Sequence, residues 1–536
     1  SVFSEPNKIT ATEFENNQYM QQKTAYPIMP DINITINGIT KLLLNLNPSK
    51  ASGPDELKPR LLKELAHEIS PILCIIYQKS LDTGEVPTEW RTAHVSLIFK
   101  KGSKYNPENY RPISLTCICC KLIEHVVVSA IMTHADNHNI LYPLQHGFRK
   151  NRSCETQLLE FIDDVTKNIE TSKQTDVLIM DFSKAFDKVS HNLLSHKLNY
   201  YGIQGKTNAW IQGFLSCRTQ AVILEGETSG YVPVKSGVPQ GSVLGPSLFL
   251  FYINDIPVGL NSTIRLFADD TIAYLVIKSN SDCETLQKDL NTLGIWEHTW
   301  KMAFHPDKCN VMSISRNKNP ITYNYTLHGH VLEHVDKAKY LGVTIQSDLK
   351  WHSHINTICN KANSTLGFLR RNLNISSTSV KEQAYKSLVR PSLEYACSVW
   401  DPYFTEDINK LEKVQRRAAR FVTNRHRNTS SVSDMIDHLK WRNLAYRRTD
   451  ARLVMFYKIS YHLIAITKTD RLIQPLRQSR NMHALSYQIP SCRTQIRQQS
   501  FFPRTIKNWN SLPLSIVMSD SIESFKTAIS THTYSQ

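Results

Sequence analysis

Three aspartates stand where rigid backbone would hold them. Asp181 closes the run Asp176-Val177-Leu178-Ile179-Met180, which is β-branched and apolar on both faces, while Asp269-Asp270 separate two further strand-like runs at 263–268 and 271–276. An apolar strand of that kind belongs at a sheet centre, and a carboxylate at its end is held in place. The second pair reads as a hairpin with its acidic residues at the tip. If the two strand ends are neighbours, three carboxylates converge. Carboxylate oxygens are hard ligands that suit Mg²⁺, and two such ions roughly 3.5 to 4 Å apart stabilise both the attacking and the leaving oxygen of a phosphoryl transfer. Without a cation the carboxylates would repel one another, so such a site depends on metal. Each aspartate taken alone is more often an ordinary turn residue; the neighbouring sequence changes that balance.

The elements that must position these residues follow from periodicity. A helix starts near Ser153, carries Leu158, Ile162, Val165 and Ile169 on one stripe, and feeds the strand that ends in Asp181. After the hairpin, Ser281 and Glu284 read as a capping box opening a helix with Leu286, Leu290, Leu293 and Trp300 on one face. Gly237 and Gly241 flank Pro239-Gln240 in a loop that opens a helix containing Phe249, Tyr252 and Ile253. Glycine permits close backbone approach, and a helix N-terminus favours anionic groups. Upstream, helical spacing begins at Ile39 and runs through Leu42, Leu43 and Leu46. It breaks at Ser52-Gly53-Pro54-Asp55 and resumes over 57–81; Val95-Ser96-Leu97-Ile98-Phe99 then reads as a strand leading into Lys100 and Lys101. Beyond about Trp351 the pattern is helical, and Leu411, Val414, Ala418 and Phe421 form a stripe beside Lys410, Lys413, Arg416, Arg417 and Arg420. That basic face is either simply solvated or turned toward a phosphate backbone.

Composition bounds the reading. A chain of 536 residues exceeds one ordinary domain and predicts two to four packed subdomains. Sixty-three Lys and Arg against 47 Asp and Glu leave a charge of +16, which suits a polyanionic partner such as nucleic acid or a merely soluble basic protein. The 11 cysteines lack both paired metal-ligand spacing and a small-domain disulfide framework, and read as reduced thiols of an intracellular protein, in the nucleus or cytoplasm. Their one cluster, Cys117-Ile118-Cys119-Cys120, has no second half to complete a zinc site. No apolar run approaches the roughly 18 residues of a membrane span, and no signal-peptide pattern opens the chain, so no membrane partner is expected. A start at Ser1 and not Met suggests a fragment of a longer product.

The neighbouring residues carry a resemblance. Asp181-Phe182-Ser183-Lys184-Ala185-Phe186-Asp187, Ser236-Gly237-Val238-Pro239-Gln240-Gly241-Ser242-Val243-Leu244-Gly245-Pro246 and Phe267-Ala268-Asp269-Asp270 resemble, in order and spacing, the first, second and third palm motifs of reverse transcriptases. The Phe-Ala-Asp-Asp form, with Asn109-Tyr110-Arg111-Pro112-Ile113-Ser114-Leu115 and Gln145-His146-Gly147-Phe148-Arg149, looks like the non-LTR, LINE-like retrotransposon branch. Lys50-Ala51-Ser52-Gly53-Pro54-Asp55 resembles its N-terminal extension, Lys339-Tyr340-Leu341-Gly342-Val343 its primer grip, and Arg390-Pro391-Ser392-Leu393-Glu394-Tyr395 with 411–421 its thumb. Within the branch the likeness is to jockey-type elements, and it runs weakly to Phe502-Pro503-Arg504-Thr505-Ile506.

The resemblance implies an α+β right-hand polymerase with fingers, a palm of antiparallel sheet with packed helices, and a helical thumb. The expected divisions are a poorly ordered segment over 1–38, an N-terminal extension over 39–94, fingers and palm over 95–350, a thumb over 351–430, and a C-terminal helical region of unknown role over 431–536. It implies an RNA-directed DNA polymerase that extends a DNA primer with dNTPs on an RNA template. Asp181 and Asp269 would be the main ligands of two Mg²⁺, for which Mn²⁺ can substitute, with Asp270 as a third carboxylate. Phe182, Phe186, Gln240 and Gly241 match nucleotide-binding positions, Phe186 being the bulky gate that excludes a ribose 2′-hydroxyl by steric clash. Lys100 and Arg111 match positions that neutralise the triphosphate, with Lys101 the alternative to Lys100. Tyr340, Leu341 and Gly342 match the primer grip, and Lys308 a basic residue that donates a proton to the leaving pyrophosphate. His305 departs from the family's usual Asn. An inactive or domesticated nucleic-acid-binding remnant is opposed by the three intact aspartates, and an RNA-copying RNA polymerase by Phe186. Neither an endonuclease domain nor a ribonuclease H carboxylate set is recognisable, and oligomeric state is not legible.

Overall fold

The computed structural model describes residues 26–427, 429–475 and 483–532. In chain order its main elements begin with α1 (Ile36–Leu44), α2 (Ala66–Thr83), β1 (Thr92–Phe99), β2 (Tyr110–Leu115), α3 (Ile118–Asn137), α4 (Cys154–Glu170) and β3 (Gln174–Met180). They continue with α5 (His191–Tyr200), α6 (Gly205–Leu215), β4 (Arg218–Leu224), α7 (Leu244–Tyr252), β5 (Thr263–Phe267), β6 (Asp270–Ile277), α8 (Asn280–Trp300) and β7 (Asn310–Ile314). The hairpin β8 (Lys337–Tyr340) and β9 (Val343–Gln346) precedes the helices α9 (His352–Asn372), α10 (Thr405–Thr423), α11 (Leu444–Ser460), α12 (Phe501–Asn510) and α13 (Ile522–Thr531).

Two five-stranded sheets organise the first 350 residues. One pairs β2, β1 and β4, with β1 and β4 parallel, plus the short strands Glu227–Thr228 and Val232–Val234. The other runs Glu333–His334, β7, β3, β6, β5, with β3 antiparallel to both of its neighbours. Strand β3 is buried on both faces, as its composition predicts. Leu178 and Met180 join one hydrophobic core with α3, α7 and α8, while Val177 joins a second core with α4, α9, α10 and the C-terminal helices. The alternation is the period of two that a pleated strand imposes.

Several expectations shift. Residues 1–25 of the segment expected to be poorly ordered lie outside the described residues, but Met29 is buried and donates its N–H to the Gly202 carbonyl at 2.9 Å. Helix α1 starts at Ile36, three residues before the apolar spacing begins, because Thr35 caps it by accepting from Gly38. The capping box of α8 is Ser279 with Asp282, two residues ahead of Ser281 and Glu284: Asp282 accepts from the N–H groups of both Lys278 and Ser279. One described helix, α3, is long and apolar enough to cross a membrane, contrary to the sequence reading. It packs in the first core instead, and its buried Glu124 accepts from the N–H groups of Val243 and Leu244 at 2.7 and 2.9 Å, at the start of α7.

The region after residue 430 shares the second core with α9 and α10: Leu453, Phe456, Phe501, Ile506 and Phe525 are buried together with Val177 and Ile272 of the sheet. Charge joins it to α4 as well. Arg497 lies 2.6 Å and Arg471 2.8 Å from the Asp163 carboxylate, and Glu170 accepts from the Thr494 N–H at 3.0 Å.

Candidate active site

Sheet register brings the acidic residues together. The β3–β6 ladder ends on the pair Met180 and Thr271, so the next step along each strand is Asp181 on one side and Asp270 on the other. Across the hairpin Phe267 pairs with Asp270, which makes Ala268-Asp269 the two-residue turn and Asp270 the first residue of its strand. The sequence reading had set both aspartates in the turn. Ala268 takes φ +54° there, the left-handed geometry that tight hairpins require.

Each strand end is clamped by backbone. Beyond β3, Ser183 donates to the Ala303 carbonyl at 2.8 Å and His305 donates its N–H to the Asp181 carbonyl at 2.9 Å. Residue 305 thus fixes Asp181 through its main chain, and the His for Asn departure leaves that clamp intact. On the hairpin side, Gln145 is the clamp. Its side-chain oxygen accepts from Ala268 at 3.0 Å and from Gly147 at 2.8 Å, while His146 N–H donates to the Leu266 carbonyl at 2.8 Å. A Cβ on Gly147 would sit 2.4 Å from the Ala268 nitrogen, so only glycine fits that approach. The sequence motif around Gln145 is visible as a resemblance, but its hold on the Ala268-Asp269 turn is not.

The electrostatics are those of crowded acids. Burial raises the Asp270 carboxyl, and the charges of Asp269 and Asp181 push it further, to about 6. Asp269 is raised by burial and by Asp181, against its own backbone N–H and the positive charges of Arg111 and Lys100, which lower it. Lys100 and Arg111 therefore act on the acidic cluster from the end of the β1–β2 ladder, where Ile98 pairs with Arg111. Lys308 lies 3.4 Å from the Asp181 carboxylate. Among the described residues no three Asp, Glu, His or Cys side chains form a closed metal-ligand set. Acidic neighbours of this kind fit hard cations that draw the rest of their coordination from water and phosphate.

The second motif is zipped to the first. Val238 and Gly237 donate to the carbonyls of Phe186 and Val189, both at 2.8 Å, and the Ser236 hydroxyl donates to the Asp187 carbonyl at 2.8 Å. Gly237 has φ +90° and a Cβ there would lie 2.8 Å from Asp187 Cα, so the position admits only glycine. Gln240 accepts at its carbonyl from Ser114 at 2.7 Å, tying in β2, and directs its amide to Asp187 at 3.4 Å; Gly241 follows it in the same loop. The Phe186 ring stacks on Phe249 with centroids 4.5 Å apart and meets the exposed Phe148 edge-on.

Three of the expected site residues have buried side chains. Phe182 is only 4% exposed and stacks on Phe304 at 4.2 Å, so its side chain packs in the core. In the primer-grip segment Tyr340 and Leu341 are buried, Tyr340 accepting from Gln157 at 3.1 Å. Gly342 lies in the β8–β9 turn against the Tyr395 ring.

Comparison with known proteins finds relatives of this chain. Residues 98–345 match the family model described as reverse transcriptase (RNA-dependent DNA polymerase). The chain is 27% identical over 403 residues to the RNA-directed DNA polymerase from mobile element jockey of Drosophila melanogaster, an alignment covering 73% of this chain and 44% of the relative. It is 28% identical over 417 residues, 74% of this chain and 45% of the relative, to the probable RNA-directed DNA polymerase from transposon BS of the same fly. Over 187 residues, 35% of this chain and 26% of the relative, it is 29% identical to the retrovirus-related Pol polyprotein from type-1 retrotransposable element R2 of Popillia japonica. The chain spans under half the length of the curated relatives it matches first.

Proposed function

We propose, from the match of residues 98–345 to the reverse transcriptase family model, that this chain is the RNA-directed DNA polymerase portion of a non-LTR, jockey-type retrotransposon product. The carrying observation is the register that sets Asp181 beside Asp270 at a turn containing Asp269. Reverse transcriptases depend on divalent metal, and Asp181, Asp269 and Asp270 would hold two Mg²⁺. When bound, such ions activate the primer 3′-oxygen and neutralise charge on the leaving pyrophosphate.

The chain's own groups supply the rest. Lys100 and Arg111, whose charges already reach Asp269, bind and orient the triphosphate, one as a point charge and one as a planar fork. Phe186, fixed flat against Phe249, fills the space a 2′-hydroxyl would need. Gln240 and Gly241 present the loop that receives the nucleotide, and the Gly342 turn supports the primer end. Lys308 holds its proton beside Asp181 and delivers it to the departing pyrophosphate.

The test is primer extension by purified protein. Asp269→Asn is expected to abolish Mg²⁺-dependent incorporation of deoxynucleotides on an RNA template while template–primer binding persists. Normal extension by that variant would refute the metal-site assignment. Extension on neither RNA nor DNA template by the unsubstituted protein would favour the nucleic-acid-binding remnant.

A further inference from the structure

A second basic site lies remote in sequence from the three aspartates, where α10, α11 and α12 meet. There a cleft of about 990 Å³ is lined by Arg416, Tyr446, Arg448, Arg452, Arg504 and Lys507, among others. Its lining carries five Arg and Lys against Asp401, Glu412 and Asp437, so its charge is unbalanced. Asp401 receives Arg448 at 2.7 Å, Arg452 at 2.9 Å and Arg504 at 3.3 Å, so three guanidiniums share one carboxylate. Arg448 is 1% exposed, and neither of its terminal guanidinium nitrogens has a hydrogen-bond partner. Buried charged donors left in that condition are costly and call for a ligand or ion. Burial, with Arg504 beside it, brings Arg452 down to about 10, in keeping with excess positive charge. At the mouth, Arg416 and Lys507 are exposed.

The cleft volume is at the top of the range for small-molecule sites, about 300 to 1,000 Å³, which admits a nucleotide or two but no duplex. A basic groove with an aromatic wall is how single strands are held without reading sequence. Tyr446 supplies that wall, with the Arg442 guanidinium over its ring at 5.4 Å.

We propose that this cleft binds single-stranded nucleic acid through its phosphates, with Arg416, Arg504 and Lys507 on the backbone and Tyr446 against a base. It is a site separate from the one that holds the primer terminus. Contacts of this type do not read a 2′-hydroxyl, so RNA and DNA strands are accepted alike.

The test uses the whole chain with fluorescein-labelled ten-nucleotide oligo-U and oligo-dT, in EDTA and without nucleotides, so that its outcome is independent of polymerisation. Arg416→Gln combined with Lys507→Gln leaves the Asp401 cluster untouched. It is expected to weaken binding of both oligonucleotides about tenfold or more near 0.1 M salt and to make the salt dependence shallower by about 1.4, at roughly 0.7 per single-strand phosphate contact. Oligo-U carrying 4-thiouridine is expected to crosslink to the peptide containing Tyr446. The proposal is overturned if the double variant behaves like the exposed control Lys318→Gln, if crosslinks fall only elsewhere, or if equimolar ATP displaces the oligonucleotide as well as unlabelled strand does.

Discussion

Removing one charge from the acidic cluster is expected to stabilise the fold while destroying its response to metal. Take Asp270→Asn, which keeps shape and removes charge. The Asp270 carboxyl is raised from 3.8 to about 6, first by burial and then by Asp269 and Asp181. Two pKa units correspond to roughly 3 kcal/mol. Although packed atoms surround the carboxyl, residue 270 keeps access to solvent at the strand end, so water screens much of this, and about 1 kcal/mol is the working figure. A carboxylate with a raised folded-state pKa destabilises the fold where it is ionised. In the unsubstituted protein, stability is therefore lost as pH climbs from the unfolded value near 4 and is fully lost above about 6. The variant escapes that loss. In EDTA, urea unfolding followed by tryptophan fluorescence should give matching stabilities near pH 4 and an advantage of about 1 kcal/mol for Asp270→Asn at pH 7.5. Mg²⁺ should reverse the order, since a ligand at a hundredfold excess over its Kd adds about 2.7 kcal/mol to whichever protein binds it. Equal stabilities at pH 7.5 in EDTA, or an equal response of both proteins to Mg²⁺, would refute the reasoning.

Other substitutions probe the supporting parts. Phe186→Val should raise ribonucleotide incorporation relative to deoxynucleotide, read as a ratio of kcat/KM values; an unchanged ratio removes Phe186 from the gate. Gln145→Ala strips the acceptor shared by the Ala268 and Gly147 N–H groups. It should lower kcat at least tenfold with little change in template–primer affinity, and an undiminished kcat would show that the turn holds itself. Arg497→Met leaves Asp163 with Arg471 and Lys167. The loss should be about 2 to 3 kcal/mol, below the ~3 to 5 of a fully orphaned buried charge, and a change under ~0.5 kcal/mol in urea unfolding would count against the network.

What the sequence made legible was local. The apolar run ending in Asp181 is a strand because both its faces are buried, and the helix expected near Ser153 starts at Cys154, capped by Ser153. Register was not legible: that Met180 faces Thr271 depends on how β5 and β6 turn, and the turn proved to be Ala268-Asp269. The cap of α8 was misplaced because Ser279-Asp282 and Ser281-Glu284 share the same spacing pattern, and only the extra N–H of Lys278 decides between them. Phe182 and Phe186 look alike in a motif, yet one is spent on Phe304 and the other stands at the loop. Gln145 and Arg497 were missed as supports because they act over distance; Arg497 meets Asp163 across 334 residues.

The arginines that reach α4 from beyond residue 430 mean that folding unit and motif boundary do not coincide. A nonsense codon or proteolytic nick between residues 431 and 470 would spare every catalytic motif, yet strip Asp163 of Arg471 and Arg497 and bare the apolar side chains that cover Val177 and Ile272. The folded unit that carries the aspartates reaches at least as far as Arg497. Damage far downstream of the aspartates would thus undo the packing that positions them while leaving every one of their letters in place.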